Sequence, residues 1–394
     1  MSRRFGSAAV LLLSILGWAQ SKEPVRLPGS DSSAESADAA AFLPVIVPLI
    51  LQPKSVVTLD QFNGSLPSQT KCDADGNVYG AFAGRTANSI TRISADGHQT
   101  TTFSLGAVPD PDITSDRLPF IAEFAIATDG DVYLLVLMKS QDSGSTTQPL
   151  SAKGIDPGRF EYRIIIFDSE GKYHSQFKLE QGLAPNHVAV FPSGKLMLAG
   201  LKPAPEGQHL MPFAGVFDSR GRFIDDISMP SDLHSTGVNH GQPAWSLGSW
   251  AWRNPTREAQ GADDGNVYLL PSAAGAPVYM LSPSGEIIRT IMLGSTANEP
   301  LGMSIAAGRL IYWSRNVEPR RLRHTSSDRP LDQAAAAVSG DSLVRIFNLQ
   351  TGELAAAYIA PAELGNFACY SSGDFTFLRL HQPGRFQVVR ASAY

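Results

Sequence analysis

CDADGNVYGAF, residues 72–82, poses the question that decides the fold. Its acidic core, D-A-D-G-N, opens like a calcium-binding loop, whose oxygen ligands recur at fixed spacings and end on a bidentate Glu. After Asp73, Asp75 and Asn77 the chain continues VYGAFAG, and no Glu arrives. Asp and Asn also favour tight turns, because their side chains bond the local backbone. The stretch therefore reads as an apolar strand, a turn at Gly76 and a second apolar strand.

The same pattern returns further along. IATDGDVYLLVL begins at Ile126, VFPSGKLMLAG at Val190, GADDGNVYLLP at Gly261, IAAGRLIYWS at Ile305 and CYSSGDFTFLRL at Cys369. A second series lies between these: ITRISADGHQTTTFSL, IIIFDSEGKYHSQFKL, AGVFDSRGRFIDDISM, VYMLSPSGEIIRTIML and VRIFNLQTGELAAAYI. One member of each series makes four antiparallel strands, and repetition of such a unit predicts the blades of a β-propeller. The first series has six members and the second has five. The last unit ends on GRFQVVRASAY without a fourth strand, whereas PKSVVTLDQF, Pro53 to Phe62, precedes the first unit unpaired. The expectation is an all-β, six-bladed propeller with four antiparallel strands per blade. The N-terminal strand would complete the last blade and so remove the edges an open sheet exposes.

The DGNVY and SPSGE turns and the lead-in APNHVAVFPSG, Ala184 to Gly194, resemble the six-bladed propellers of the NHL-repeat and gluconolactonase-like group. The resemblance spans residues 53–394 and implies a fold more than an activity, since that group includes lactonases, lyases and pure binding modules.

In such a propeller the first strand of each blade lines the channel. Counting seven residues back from each turn Gly leads to Gln69, Glu123, His187, Glu258 and Asn366, with Gly302 in the fifth, shorter unit. The resemblance implies a divalent cation, calcium or similar, held here by carboxylate and amide oxygens. Glu123, Asn366 and Glu258 would supply them, with His187 as base or ligand and Asn186 and Glu299 close by. The plainer reading is a wet channel mouth whose polar side chains need no ligand, and no cofactor is predicted on that reading.

Three long insertions fall between strands, at 138–161, 230–260 and 315–342, all on the face opposite the short turns. Long loops on a rigid scaffold are where binding residues concentrate. The second insertion carries Trp245, Trp250 and Trp252, suited to a sugar or peptide partner. The third carries Arg320, Arg321 and Arg323, suited to an anionic group. Each cluster has a bland alternative, as loop packing or as solvated surface. The short-turn face reads as the blank side.

The chain of 394 residues is 43% hydrophobic and 18% charged, with net charge −5. That offers no basic field for nucleic acid. Arg3, Arg4 and the apolar run Ala8 to Ala19 read as a cleaved export signal covering 1–21, too short to span a membrane. A flexible lead with the apolar segment Phe42 to Leu51 is expected over 22–52, and the propeller over 53–394. Cys72 and Cys369 each lie four residues before a turn Gly. Equivalent positions point the same way round a ring, so two unpaired buried thiols are expected, although export permits a disulfide. The functional expectation is a secreted or periplasmic, monomeric, non-enzymatic module that binds a protein, peptide or glycan. The alternative is a metal-dependent hydrolase or lyase of lactonase-like type, centred at the channel mouth.

Overall fold

The computed structural model of the protein describes residues 46–59, 67, 69–82, 88–113, 119–139, 160–203, 210–228, 256–271, 277–294, 300–315, 340–382 and 385–393. The export signal and the Trp and Arg loop clusters lie outside these residues.

The described chain is a succession of β-strands with two one-turn 3-10 helices at Leu105–Ala107 and Ala362–Leu364. β1 (Leu49–Leu59) comes first. Four antiparallel sheets of four strands follow. They are β2 (Thr70–Cys72), β3 (Val78–Gly80), β4 (Ser89–Ile93) and β5 (Thr100–Ser104); then β6 (Phe120–Ile126), β7 (Val132–Lys139), β8 (Phe160–Phe167) and β9 (Tyr173–Lys178). Next are β10 (Ala184–Val190), β11 (Leu196–Pro203), β12 (Leu210–Phe217) and β13 (Phe223–Asp226); then β14 (Thr256–Gly261), β15 (Val267–Pro271), β16 (Val278–Leu281) and β17 (Ile287–Ile291). The remaining strands are β18 (Pro300–Ala306), β19 (Arg309–Arg315), β20 (Ser342–Asn348), β21 (Leu354–Ala360), β22 (Asn366–Ser371), β23 (Asp374–Gln382) and β24 (Arg385–Ala393). With β1 they form one sheet in the order β18-β19-β20-β21-β1-β24-β23-β22.

The expectation of six separate blades is therefore corrected. Four blades stand alone, and the other eight strands are fused. The fusion has a local cause. β1 runs antiparallel to β24 from Leu51↔Ala393 to Leu59↔Phe386, but it starts earlier than the sequence suggested. Its first residues, Leu49 and Ile50, pair in parallel with Tyr358 and Ile359 of β21. The strand thus begins inside the segment taken for a flexible lead, and Leu51 is buried in the core.

The turn reading of residues 72–82 explains the hairpins. Gly76 has φ 82°, a conformation that costs glycine little and other residues more. The Asp73 carboxylate accepts from the Asn77 backbone N–H at 3.0 Å, from Asn77 Nδ2 at 2.7 Å and from the Tyr79 hydroxyl at 3.0 Å. The acids belong to the turn.

Apolar cores lie between successive sheets. Phe103 and Phe124 meet in the first, Tyr162 and Val188 in the second, and Met197 and Leu269 in the third. The last core, holding Cys72, Ile93, Cys369 and Phe386, joins the first sheet to the chain's C-terminal strands. Both faces of each inner sheet are covered, which is why strands such as LMLAG read as unbroken apolar runs. The inner strands β2, β6, β10, β14, β18 and β22 contact one another in cyclic order.

Cys72 and Cys369 form a disulfide with their Cα atoms 5.6 Å apart, contrary to the two-thiol expectation. The two positions are not equivalent. Cys72 pairs with Val78, two residues after its turn Gly, whereas Cys369 pairs with Thr376, three after. The β22–β23 hairpin turns tightly through Ser372 (φ 53°) and Gly373 (φ 91°), and a bulge follows between Phe367 and Cys369. A slip of one residue sends a side chain to the other face of its strand. Each Cys consequently faces the other.

Candidate functional site

The six channel-mouth positions share one register. Gln69, Glu123, His187, Glu258, Gly302 and Asn366 lie opposite Ala81, Leu135, Ala199, Leu270, Trp313 and Leu378, each five residues after its turn Gly. In β6, β10, β14 and β18 a bulge lies immediately before this position.

Three of these side chains come together around a residue that counting back from the turns did not reach. Lys71 reaches across from β2 and sets Nζ 3.1 Å from Glu123 Oε1 and 3.1 Å from Glu258 Oε1. The second oxygen of Glu123 lies 3.3 Å from His187 Nδ1. Lys71 Nζ also stands 5.7 Å above the centre of the Phe124 ring. Side-chain exposure is 10% for Lys71, 7% for Glu123 and 20% for Glu258. Burial disfavours charge on Lys71, but the two carboxylates outweigh it and hold its pKa above the ordinary lysine value. Burial pushes in the opposite direction on Glu123, yet Lys71 and His187 hold it below the usual carboxylate range. Glu258 is raised, first by burial and further by the negative charge of Glu123, with Lys71 opposing. The cluster carries a firm cation, a firm anion and one carboxylate inclined to keep its proton.

The other expected members do not join. Gln69 donates to the Ala122 carbonyl at 2.9 Å. Asn366 is exposed at the start of β22. Gly302 leaves room for the ring of Trp313, which would come within 2.5 Å of a Cβ there. Asn186, at the bulge of β10, keeps its buried Oδ1 without a partner. The Trp and Arg residues of the long loops and Glu299 lie outside the described residues.

The residues do not fit a divalent cation. The place between the two carboxylates is filled by the Lys71 ammonium, and Asn366 is exposed at the start of its strand. Among the described residues no group of three His, Cys, Asp or Glu could hold a metal ion. A sequence signal for Lys71 existed. Five residues before the turn Gly the other units hold Ala125, Ala189, Gln260 and Ala368, with Ser304 in the shorter fifth unit, none charged, so a lysine among them calls for a partner.

An all-β chain with a propeller-like arrangement of antiparallel four-stranded sheets around a polar channel mouth is the class defined here. No family model and no curated protein matches the sequence. Solved structures with which it can be superposed include the PQQ-bound aldose sugar dehydrogenase of Streptomyces coelicolor, at 12% identity and TM-score 0.39, covering 87% of this chain and 100% of that one. The GH74 xyloglucanase of Xanthomonas campestris matches at 13% identity and TM-score 0.39 over 84% of this chain and 41% of that one. The WD40 propeller domain of Doa1 matches at 10% identity and TM-score 0.35, covering 86% and 97%.

Proposed function

We propose that the protein is an exported propeller that binds a protein, peptide or glycan through its long-loop face and performs no metal-dependent chemistry at the channel mouth. The observation that carries this reading is Lys71. Its ammonium stands where the resemblance would put a cation and neutralises the carboxylates that would bind one. A buried lysine held in its charged form by two carboxylates is a poor nucleophile and a poor base. It acts as an internal tie between β2, β6 and β14. Binding then falls to the loops, with Trp245, Trp250, Trp252, Arg320, Arg321 and Arg323 as the proposed contact residues.

On the same reading the eight-stranded sheet serves as two blades, β18 to β21 and β22 to β24 with β1, making six. Export fits the disulfide, which persists in oxidising compartments. The functional unit is proposed to be a monomer without a cofactor.

Elemental analysis of protein purified without chelator, together with calorimetric titration of calcium, tests the reading. The expected result is no stoichiometric metal and no heat of calcium binding. A bound divalent ion lost on Glu123→Gln would sink the reading and favour a metal-dependent hydrolase or lyase.

A further inference from the structure

The turns of the second series share a task that the sequence did not reveal. Each stands against the outer strand of the unit before it. Gly171 meets Thr102 of β5, Gly221 meets Phe177 of β9, Gly285 meets Ile227 just past β13, Gly352 meets Arg289 of β17 and Gly97 meets Val57 of β1. β21 receives no such turn. The strand that follows β24 in its sheet is β1, which comes from the other end of the chain, so no turn joins the two. β21 is met instead by the start of β1, with Leu49 beside Tyr358 and Ile50 beside Ile359. That contact covers two residues and leaves the flank at residues 354–357 to something else. An uncovered strand edge is a template for wrong pairing.

The apolar run upstream of β1 is placed to supply the cover. The compact unit that holds the sheets begins at Leu43. Ile46 and Pro48 are half-buried while Val47 is 76% exposed, the alternation of an extended segment lying on a surface. Counting back along the parallel register sets Val45 beside Leu354 and Val47 beside Ala356. The run is bulky at Leu43, Val45 and Ile46, whereas β21 offers Ala355, Ala356 and Ala357, so large side chains meet small ones. Pro44 and Pro48 lie four residues apart, and their missing N–H groups therefore share one edge. Turned outward, they close that edge to further strands.

We propose that residues 43–48 lie along the flank of β21 and take the place of the missing turn. The segment is a strap of the chain's own, and the occupant it keeps out is a foreign strand. The other covers are turns packed against a strand, so the strap needs contact with β21 and no continued ladder. The proposal is independent of the loop-face reading, since it uses none of the loop residues.

Hydrogen exchange of the full chain, read by mass spectrometry, tests the strap. Ile46→Asp puts a charge on its covered face and should speed exchange of the amides at 354–357 about tenfold. Val47→Asp, on the exposed face, should change it by less than about twofold. A second measurement leaves the covered face intact. With benzoylphenylalanine in place of Val45, photocrosslinks should form within the chain to residues 353–357. Unchanged exchange in Ile46→Asp, or equal effects of the two substitutions, would overturn the proposal. So would crosslinks confined to other parts of the chain, or crosslinks between chains, which would give the flank to a second copy.

Discussion

Replacing Lys71 by Met removes an ammonium and keeps most of its bulk. Glu123 and Glu258 then face each other without a cation, one 7% and the other 20% exposed. Breaking a buried pair by removing one partner costs about 3–5 kcal/mol, because the remaining charge is left uncompensated. At neutral pH the variant should be less stable than the wild type by about this amount. The cost should fall on acidification. Without Lys71, Glu258 loses the cation that opposes its upward shift and Glu123 loses the larger of the two groups that hold it down, so the folded variant binds more protons than the folded wild type and gains relative stability as pH falls through that range. Each pH unit returns up to about 1.4 kcal/mol per carboxylate. In the wild type Glu123 works the other way. Its pKa is depressed, so its contribution is present above the unfolded value and lost as pH falls. Glu258 is raised in the wild type as well, so the gap narrows through its further rise in the variant together with the loss at Glu123. Urea unfolding followed by far-UV circular dichroism at about pH 7 and about pH 4.5 should show it shrink. A gap below about 1 kcal/mol at neutral pH, or one of equal size at both, would refute the tie between β2, β6 and β14.

Three further outcomes follow from the packing. The Cys72→Ala/Cys369→Ala double variant should lose about 2–5 kcal/mol, since the bridge closes a chain separation of 297 residues, and thiol titration of denatured, unreduced wild type should find no free thiol. Gly261→Ala should lose about 2–3 kcal/mol in urea unfolding, because a Cβ there would stand 1.9 Å from the Val190 carbonyl oxygen, and β10 and β14 would have to separate. Deleting residues 1–59 strips β1 from β24 and leaves an open edge, so size-exclusion chromatography should show oligomers or aggregate in place of a single compact species.

The repeat was legible because turn chemistry is local. Gly76, Asp73 and Asn77 announce the hairpin by their own backbone needs, and Glu123, His187 and Glu258 share the register counted from such turns. Lys71 was missed because the count stopped at the channel mouth and Lys71 sits two residues further in. The cysteine pairing was misjudged for a related reason. The spacing to Gly373 matches that to Gly76, but the shorter turn at Ser372 shifts the pairing by one residue, and the sequence carries no direct mark of that shift. The fusion of eight strands into one sheet was hidden too, since the two-residue contact of Leu49 and Ile50 with β21 depends on where the chain enters the ring.

The closure by β1 also orders events in time. Thr58 accepts a hydrogen bond from Gln387, a residue 329 positions later. At about 5–20 residues per second, β1 leaves the ribosome roughly 15–65 s before its partner strand exists. The other sheets are built from neighbours in sequence and can assemble as they emerge. β1 alone has to wait, an extended strand with apolar side chains and no mate of its own. Pro53 and Lys54 sit in its middle, at the point where the register shifts by a bulge. Proline and lysine are the residues that best keep a waiting strand from pairing with the wrong neighbour.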